Sequence, residues 1–160
     1  EIVVRSPLKL PEEEIRRFVA EKSPWIQKHL EQISARHSQA LPPLSQEERV
    51  RLGNLALQEI PRRGEYFAPL VGGDYGRITI RAQHTRWGSC SSKGNLNFNF
   101  LLVLCPPEVL DYVVVHELCH RLGMNHSARF WEGVERVLPD YGSRRGWLRE
   151  QGGLLLDRLK

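Results

Sequence analysis

Cysteine is scarce in this 160-residue chain: Cys90, Cys105 and Cys119 are the three present, with no Cys-x-x-Cys pair. An odd, scattered set excludes a disulfide scaffold and a cysteine zinc site, and it fits reduced thiols in a cytoplasmic protein. Long apolar runs are also missing. Nothing approaches the about 18 consecutive apolar residues of a membrane span, and no basic-then-apolar leader precedes the first helical pattern. The chain opens at Glu1 without a methionine, which is compatible with an upstream segment. Internal repeats and low-complexity tracts are absent as well.

Neither sign of charge dominates, with 23 Lys and Arg against 19 Asp and Glu for a net +4. Arginines run from Arg5 to Arg158 between glutamates, which favours an ordinary solvated surface over a nucleic-acid face. What is present is enough apolar material for a core: 41% hydrophobic residues in 160 predict one globular domain over residues 1–160.

Pro11 followed by Glu12, Glu13 and Glu14 predicts a helix start, and Ser23-Pro24 predicts a second one. Ser45 and Glu48 form a capping box that starts a third helix, expected to end at Pro61. Beyond Gly72-Gly73 the period changes. Residues 77–81 and 95–100 alternate as two strands, expected to be antiparallel neighbours around the Ser91–Gly94 turn. Cys105-Pro106-Pro107 opens the next helix, whose buried stripe is Leu110, Val113, Val114 and Leu118. Gly123 should terminate it in the left-handed conformation, and Ser127 should cap a further helix closed by Pro139. A last helical piece holds Trp147 and Leu148.

The eleven residues HELCHRLGMNH place histidines at 116, 120 and 126, with Glu117 directly after the first. Histidines four apart on a helix share a face, so His116 and His120 can meet one metal. His126 can return from the following loop as a third ligand. Three protein ligands with one position left open is the catalytic zinc arrangement, and zinc both acidifies water and polarises carbonyls. Glu117 is then the natural general base. His29 and His37 read as surface residues, His84 as a turn residue, Cys119 as an inert thiol, and Trp87 and Trp131 as core anchors.

Several motifs in a fixed order carry a resemblance: Thr85-Arg86-Trp87-Gly88-Ser89-Cys90-Ser91, Asn97 and Leu101, the run from Asp111 to His120, Asn125-His126-Ser127 with Phe130-Trp131, and Pro139-Asp140-Tyr141. Together they resemble the YgjP-like metallopeptidases, small zincins akin to the SprT-like and WLM groups. The likeness is clear over about residues 77 to 150 and weaker from Val3 to Ile26. It implies an α+β, zincin-like fold, with a small antiparallel or mixed sheet packed on a helical core that includes the HExxH helix. By this resemblance His116, His120 and His126 hold zinc and Glu117 is the catalytic acid and base. Members usually carry further N-terminal strands, which this sequence does not show.

Two competing assignments bear on the function. HELCHRLGMNH satisfies the metzincin pattern, but that class needs a methionine turn downstream, and Met124 is the single methionine. Ribosomal-RNA maturation endonucleases also use three histidines at this spacing, with a small residue where this chain has Glu117. A carboxylate there suits water-driven amide hydrolysis, so the expected function is a zinc metallopeptidase acting on a peptide or protein. A nucleic-acid-associated zinc protein, whether a DNA-linked protease or an RNA endonuclease, is the alternative. The strand bearing Leu96, Phe98 and Phe100 is expected to lie just before the active helix, with substrate adding along an exposed strand edge. Tyr141, Arg86 and Asn99 are the candidate donors to the transition state.

Overall fold

The computed structural model describes residues 3–38 and 40–160, without the side chains of Arg36 and His37, so the expectation for His37 lies outside the described residues. The chain divides into two compact units, residues 1–40 and 41–160.

The first unit is one helix, α1 (Glu12–Ser38), where the sequence suggested two. Pro24 lies inside it and forfeits one backbone hydrogen bond without ending the helix. Acids in the first turn suit the positive end of the helix dipole, and Arg16 pairs with Glu12 at 2.7 Å across one turn. Phe18, Trp25, Leu30 and Ile33 are exposed. His29 is exposed too, its ring tilted 30° against that of Trp25 with centroids 4.0 Å apart.

The second unit begins with α2 (Gln46–Val71), started by the predicted capping box: Glu48 N–H donates to Ser45 Oγ at 3.1 Å and Ser45 N–H to Glu48 Oε2 at 2.8 Å. The helix does not stop at Pro61. Its buried stripe of Leu52, Ala56, Ile60, Gly64, Phe67 and Val71 keeps a spacing of three or four straight through Pro61 and Pro69. Burying each large side chain is worth roughly 1.5–3 kcal/mol, so the stripe as a whole outweighs the backbone cost of either proline. Gly72 ends the helix at φ 81°, its N–H donating to Ala68 O.

The sheet has three strands, β1 (Ile78–Arg81), β2 (Gly88–Cys90) and β3 (Leu96–Asn99), in the order β1-β3-β2. It corrects the expected hairpin. Strands β1 and β3 are neighbours but parallel, in register Ile78 to Leu96, and the antiparallel partner of β3 is β2. The Ser91–Gly94 turn joins β2 to β3, with Gly94 at φ 79° and its N–H on Ser91 O at 2.8 Å. One row is stitched across all three strands: Arg81 Nε donates to Asn97 Oδ1 at 3.0 Å, and Asn97 Nδ2 to Ser89 Oγ at 3.3 Å. Leu96 and Phe98 are buried in the core.

Phe100 is not in the strand. It opens a short 3-10 helix (Phe100–Leu104) that delivers the chain to α3 (Pro107–Cys119). That helix is buried nearly all round, through Val109, Leu110, Tyr112, Val113, Val114, Val115, Leu118 and Cys119, and so it is the axis of the unit. It ends at Cys119, and Gly123 is not in the left-handed conformation that was expected of it. Ser127 precedes α4 (Ala128–Val137) without a side-chain cap, and α5 (Tyr141–Asp157) closes the fold. The chain end is tied back: Leu44 N–H donates to Arg158 O at 3.0 Å and Arg158 Nε to Pro42 O at 2.9 Å. Helices and a small mixed sheet make this an α+β fold. No helix among the described residues is long and apolar enough to cross a membrane.

Candidate metal centre and its surroundings

The last turn of α3 presents His116, and His120 follows as its C-terminal cap residue. The segment after it brings His126 back across the same place. One nitrogen of each imidazole lies within 4.8 Å of the others. His116 Nε2 and His126 Nε2 are 3.1 Å apart. Nitrogens sharing one tetrahedral zinc at its usual bond length stand about 3.3 Å apart, so the spacing suits a common ion.

The remaining nitrogens are consistent with that. His120 Nδ1 faces Gly123 O at 3.4 Å, a contact that assigns the proton to Nδ1 and leaves the Nε2 lone pair free. His116 Nδ1 is buried without a partner, and Nε2 is the nitrogen that faces His126 and could reach a shared ion. Burial holds the His116 imidazole down at about 3, helped by His120, His126 and Arg145, and burial lowers His120 as well. Both rings are therefore neutral and able to donate lone pairs at neutral pH. The three side chains fit a divalent ion.

Glu117 directly follows His116 in the chain and is buried. Burial raises its carboxyl to about 7, against the opposing charge of Arg86. The carboxyl packs directly on β2: a Cβ placed on Gly88 would stand 2.6 Å from Glu117 Oε1 and 2.7 Å from its Cγ. Because Cγ as well as the carboxylate is in the way, the whole side chain would have to move. Gly88→Ala should cost about 1–3 kcal/mol of stability by overpacking and displace Glu117. Thermal unfolding and turnover of the purified variant check this, and an unchanged melting temperature and rate would show that the contact is unimportant.

The three expected donors sit differently. Arg86 is on the exposed loop between β1 and β2, with its charge acting on Glu117. Tyr141 opens α5 and stacks on Trp131, ring centroids 5.4 Å apart and planes 20° apart. Asn99 is fully buried, and both hydrogens of its amide are taken, by Gln83 O at 2.6 Å and Arg86 O at 3.2 Å. Its Oδ1 accepts from Leu101 N–H at 3.2 Å. The geometry makes Asn99 a brace for the loop that carries Arg86, with no amide hydrogen left for a ligand.

Sequence reasoning did not place several neighbours against the cluster, and it read Trp131 as a core anchor. Tyr112 lies one turn before His116 with ring centroids 5.8 Å apart. Trp131 approaches both His116 and His126, at 5.9 and 5.8 Å, and so borders the cluster. Phe130, fully buried, lies within 4.9 Å of all three imidazole centroids. The apolar stripe of α4 hinted at these two, but its register against α3 could not be read. Trp87 packs elsewhere, with Nε1 3.0 Å from where a Gly152 Cβ would be. His84 is exposed at a turn.

An α+β unit with an HExxH helix running beneath a small mixed sheet defines a zincin-like metallopeptidase fold. The family described as YgjP-like, metallopeptidase domain, matches residues 1–56 and 52–151, and the chain belongs to that family. Among solved structures, the crystal structure of the metallopeptidase zymogen of Pyrococcus abyssi abylysin is similar, with a TM-score of 0.51 and 22% identity. The likeness covers 57% of this chain and 95% of that one, and at this identity it concerns the fold. None of the curated proteins matches.

Proposed function

We propose that this chain is a zinc-dependent peptidase, in which His116, His120 and His126 hold the ion and Glu117 moves the protons of amide hydrolysis. The observation that carries the reading is the convergence of three imidazoles at the end of α3, with the buried Glu117 directly after His116 in the chain. Zinc bound by three nitrogens with a position to spare supplies Lewis acidity, which acidifies water and stabilises charge on a carbonyl oxygen. An all-imidazole set also accepts cobalt, nickel and copper, and zinc is favoured here on availability and geometry.

Glu117 Oε takes the proton of the attacking water and returns it to the leaving nitrogen. In the metal-free chain burial raises this carboxyl, which favours its taking up a proton. Arg86 and Tyr141 are the proposed donors to the developing oxyanion, with Asn99 holding the Arg86 loop in place. Substrate is proposed to lie along β2. The strand expected to guide it, β3, is central and paired on both sides, whereas β2 is an edge strand and borders Glu117 at Gly88. The three free cysteines support a reducing, cytoplasmic setting.

The test is cleavage of a proteome-derived peptide pool, read by mass spectrometry. Cleavage should disappear on chelation and return with one equivalent of zinc. Cleavage indifferent to chelation, or none at all with zinc fully bound, would refute the proposal.

A further inference from the structure

Arg145, on α5, has no part in the mechanism above. It is exposed, with its guanidinium carbon 4.9 Å from the centroid of the Trp131 ring. The same indole lies 5.8 Å from the His126 ring with planes 25° apart, so the cation stands one ring away from the histidine cluster. Its charge is felt inside the site, at His116 and at Tyr112.

The neighbouring arginine makes a useful contrast. Arg144 is committed to the fold, pairing with Asp140 at 2.9 Å and donating to Glu108 O at 3.0 Å. Among the described residues no carboxylate forms an ion pair with Arg145. A guanidinium held over an indole by cation–π attraction keeps N–H donors for a further partner. Those donors form a planar fork that matches a carboxylate, and the ring contact limits the orientations the fork can take. A cation prepared in this way, exposed and without an ion-pair partner one ring away from the histidine cluster, has its partner on the ligand.

We infer that Arg145 recognises a carboxylate of the peptide substrate, either an acidic side chain or the C-terminal carboxylate, bound next to the histidine cluster. The inference rests on the peptidase reading and narrows its substrate class to peptides that place a negative charge beside the scissile bond. Trp131 is then a positioning residue, which holds the guanidinium beside the histidine cluster.

The test uses four short peptides that carry a hydroxamate, a zinc-chelating group. They differ only in Asp against Asn and in a free against an amidated C-terminus. Binding to the zinc-loaded protein is measured by calorimetry for wild type, Arg145→Gln and Arg145→Lys. In wild type, a carboxylate-bearing probe should bind about tenfold tighter than the uncharged one, the scale of one charge-assisted hydrogen-bonded pair. The gap should close in Arg145→Gln and recover only in part in Arg145→Lys, which keeps the charge but loses the fork. Whichever carboxylate produces the gap identifies the source. Equal binding of all four probes overturns the inference and leaves the zinc site standing. A gap that persists in Arg145→Gln also overturns it, by assigning recognition to another residue. Failure of every probe to bind despite bound zinc removes the peptidase reading and the inference together.

Discussion

Replacing Glu117 by glutamine leaves the metal bound and lowers peptide hydrolysis by roughly a thousandfold, within the range that general acid–base catalysis contributes. The substitution is close to isosteric, so the packing against Gly88 is kept. It leaves all three imidazoles intact and removes only the atom that takes up and returns the proton. The effect belongs in kcat, since no residue proposed to bind the peptide is touched. Equal metal content with near wild-type turnover would assign the base elsewhere. Loss of metal in the variant would instead make Glu117 a ligand or a support for one.

In the metal-free protein the same substitution acts with the opposite sign, and its effect depends on pH. The carboxyl is held at about 7 in the fold against an ordinary value of 4.5. Below 4.5 it is protonated in both folded and unfolded chains and costs nothing relative to glutamine. Between 4.5 and 7 the unfolded chain ionises first, so wild-type stability falls as pH rises. Above 7 the loss levels off at about 3 kcal/mol, from the size of the shift. Glu117→Gln, stripped of metal, should therefore melt at nearly the wild-type temperature at pH 4 and well above it at pH 8. Chemical denaturation of both proteins across that range measures the difference. A gap that does not grow with pH would show that the carboxylate is solvated and not buried.

The site was more legible than the scaffold around it. Helical spacing alone places His116 and His120 together, because backbone geometry fixes which residues share a face over one turn. The return of His126 was expected from a left-handed Gly123, yet it happens without one, since the helix already ends at Cys119. Strand β2 escaped notice because Gly88-Ser89-Cys90 has no apolar alternation, and what pins it is a ladder to β3 and a carboxyl lying on its glycine. Without β2, the Ser91–Gly94 turn was attached to the wrong pair of strands. The continuity of α1 and α2 was hidden by their prolines, since a local rule says stop. In α2 an apolar stripe of constant spacing says continue.

Asn99 and Arg145 show a different limit. A buried asparagine holding two carbonyls and an arginine on an indole are tertiary facts, made by residues 13 and 16 positions apart or on separate helices. Nothing in their local sequence distinguishes them from ordinary polar residues. The capping box at Ser45 and Glu48 lies at the other extreme, because both partners of the interaction are within one turn and the pattern is the structure.

The most direct test of the account is the zinc content per chain of protein purified without added metal, for wild type and for His126→Ala, by elemental analysis. One zinc per wild-type chain and a large loss in the variant is the expected result, because two imidazoles from one helix are an incomplete site. No zinc in wild type, or full retention in His126→Ala, would contradict the three-histidine centre on which the peptidase reading depends.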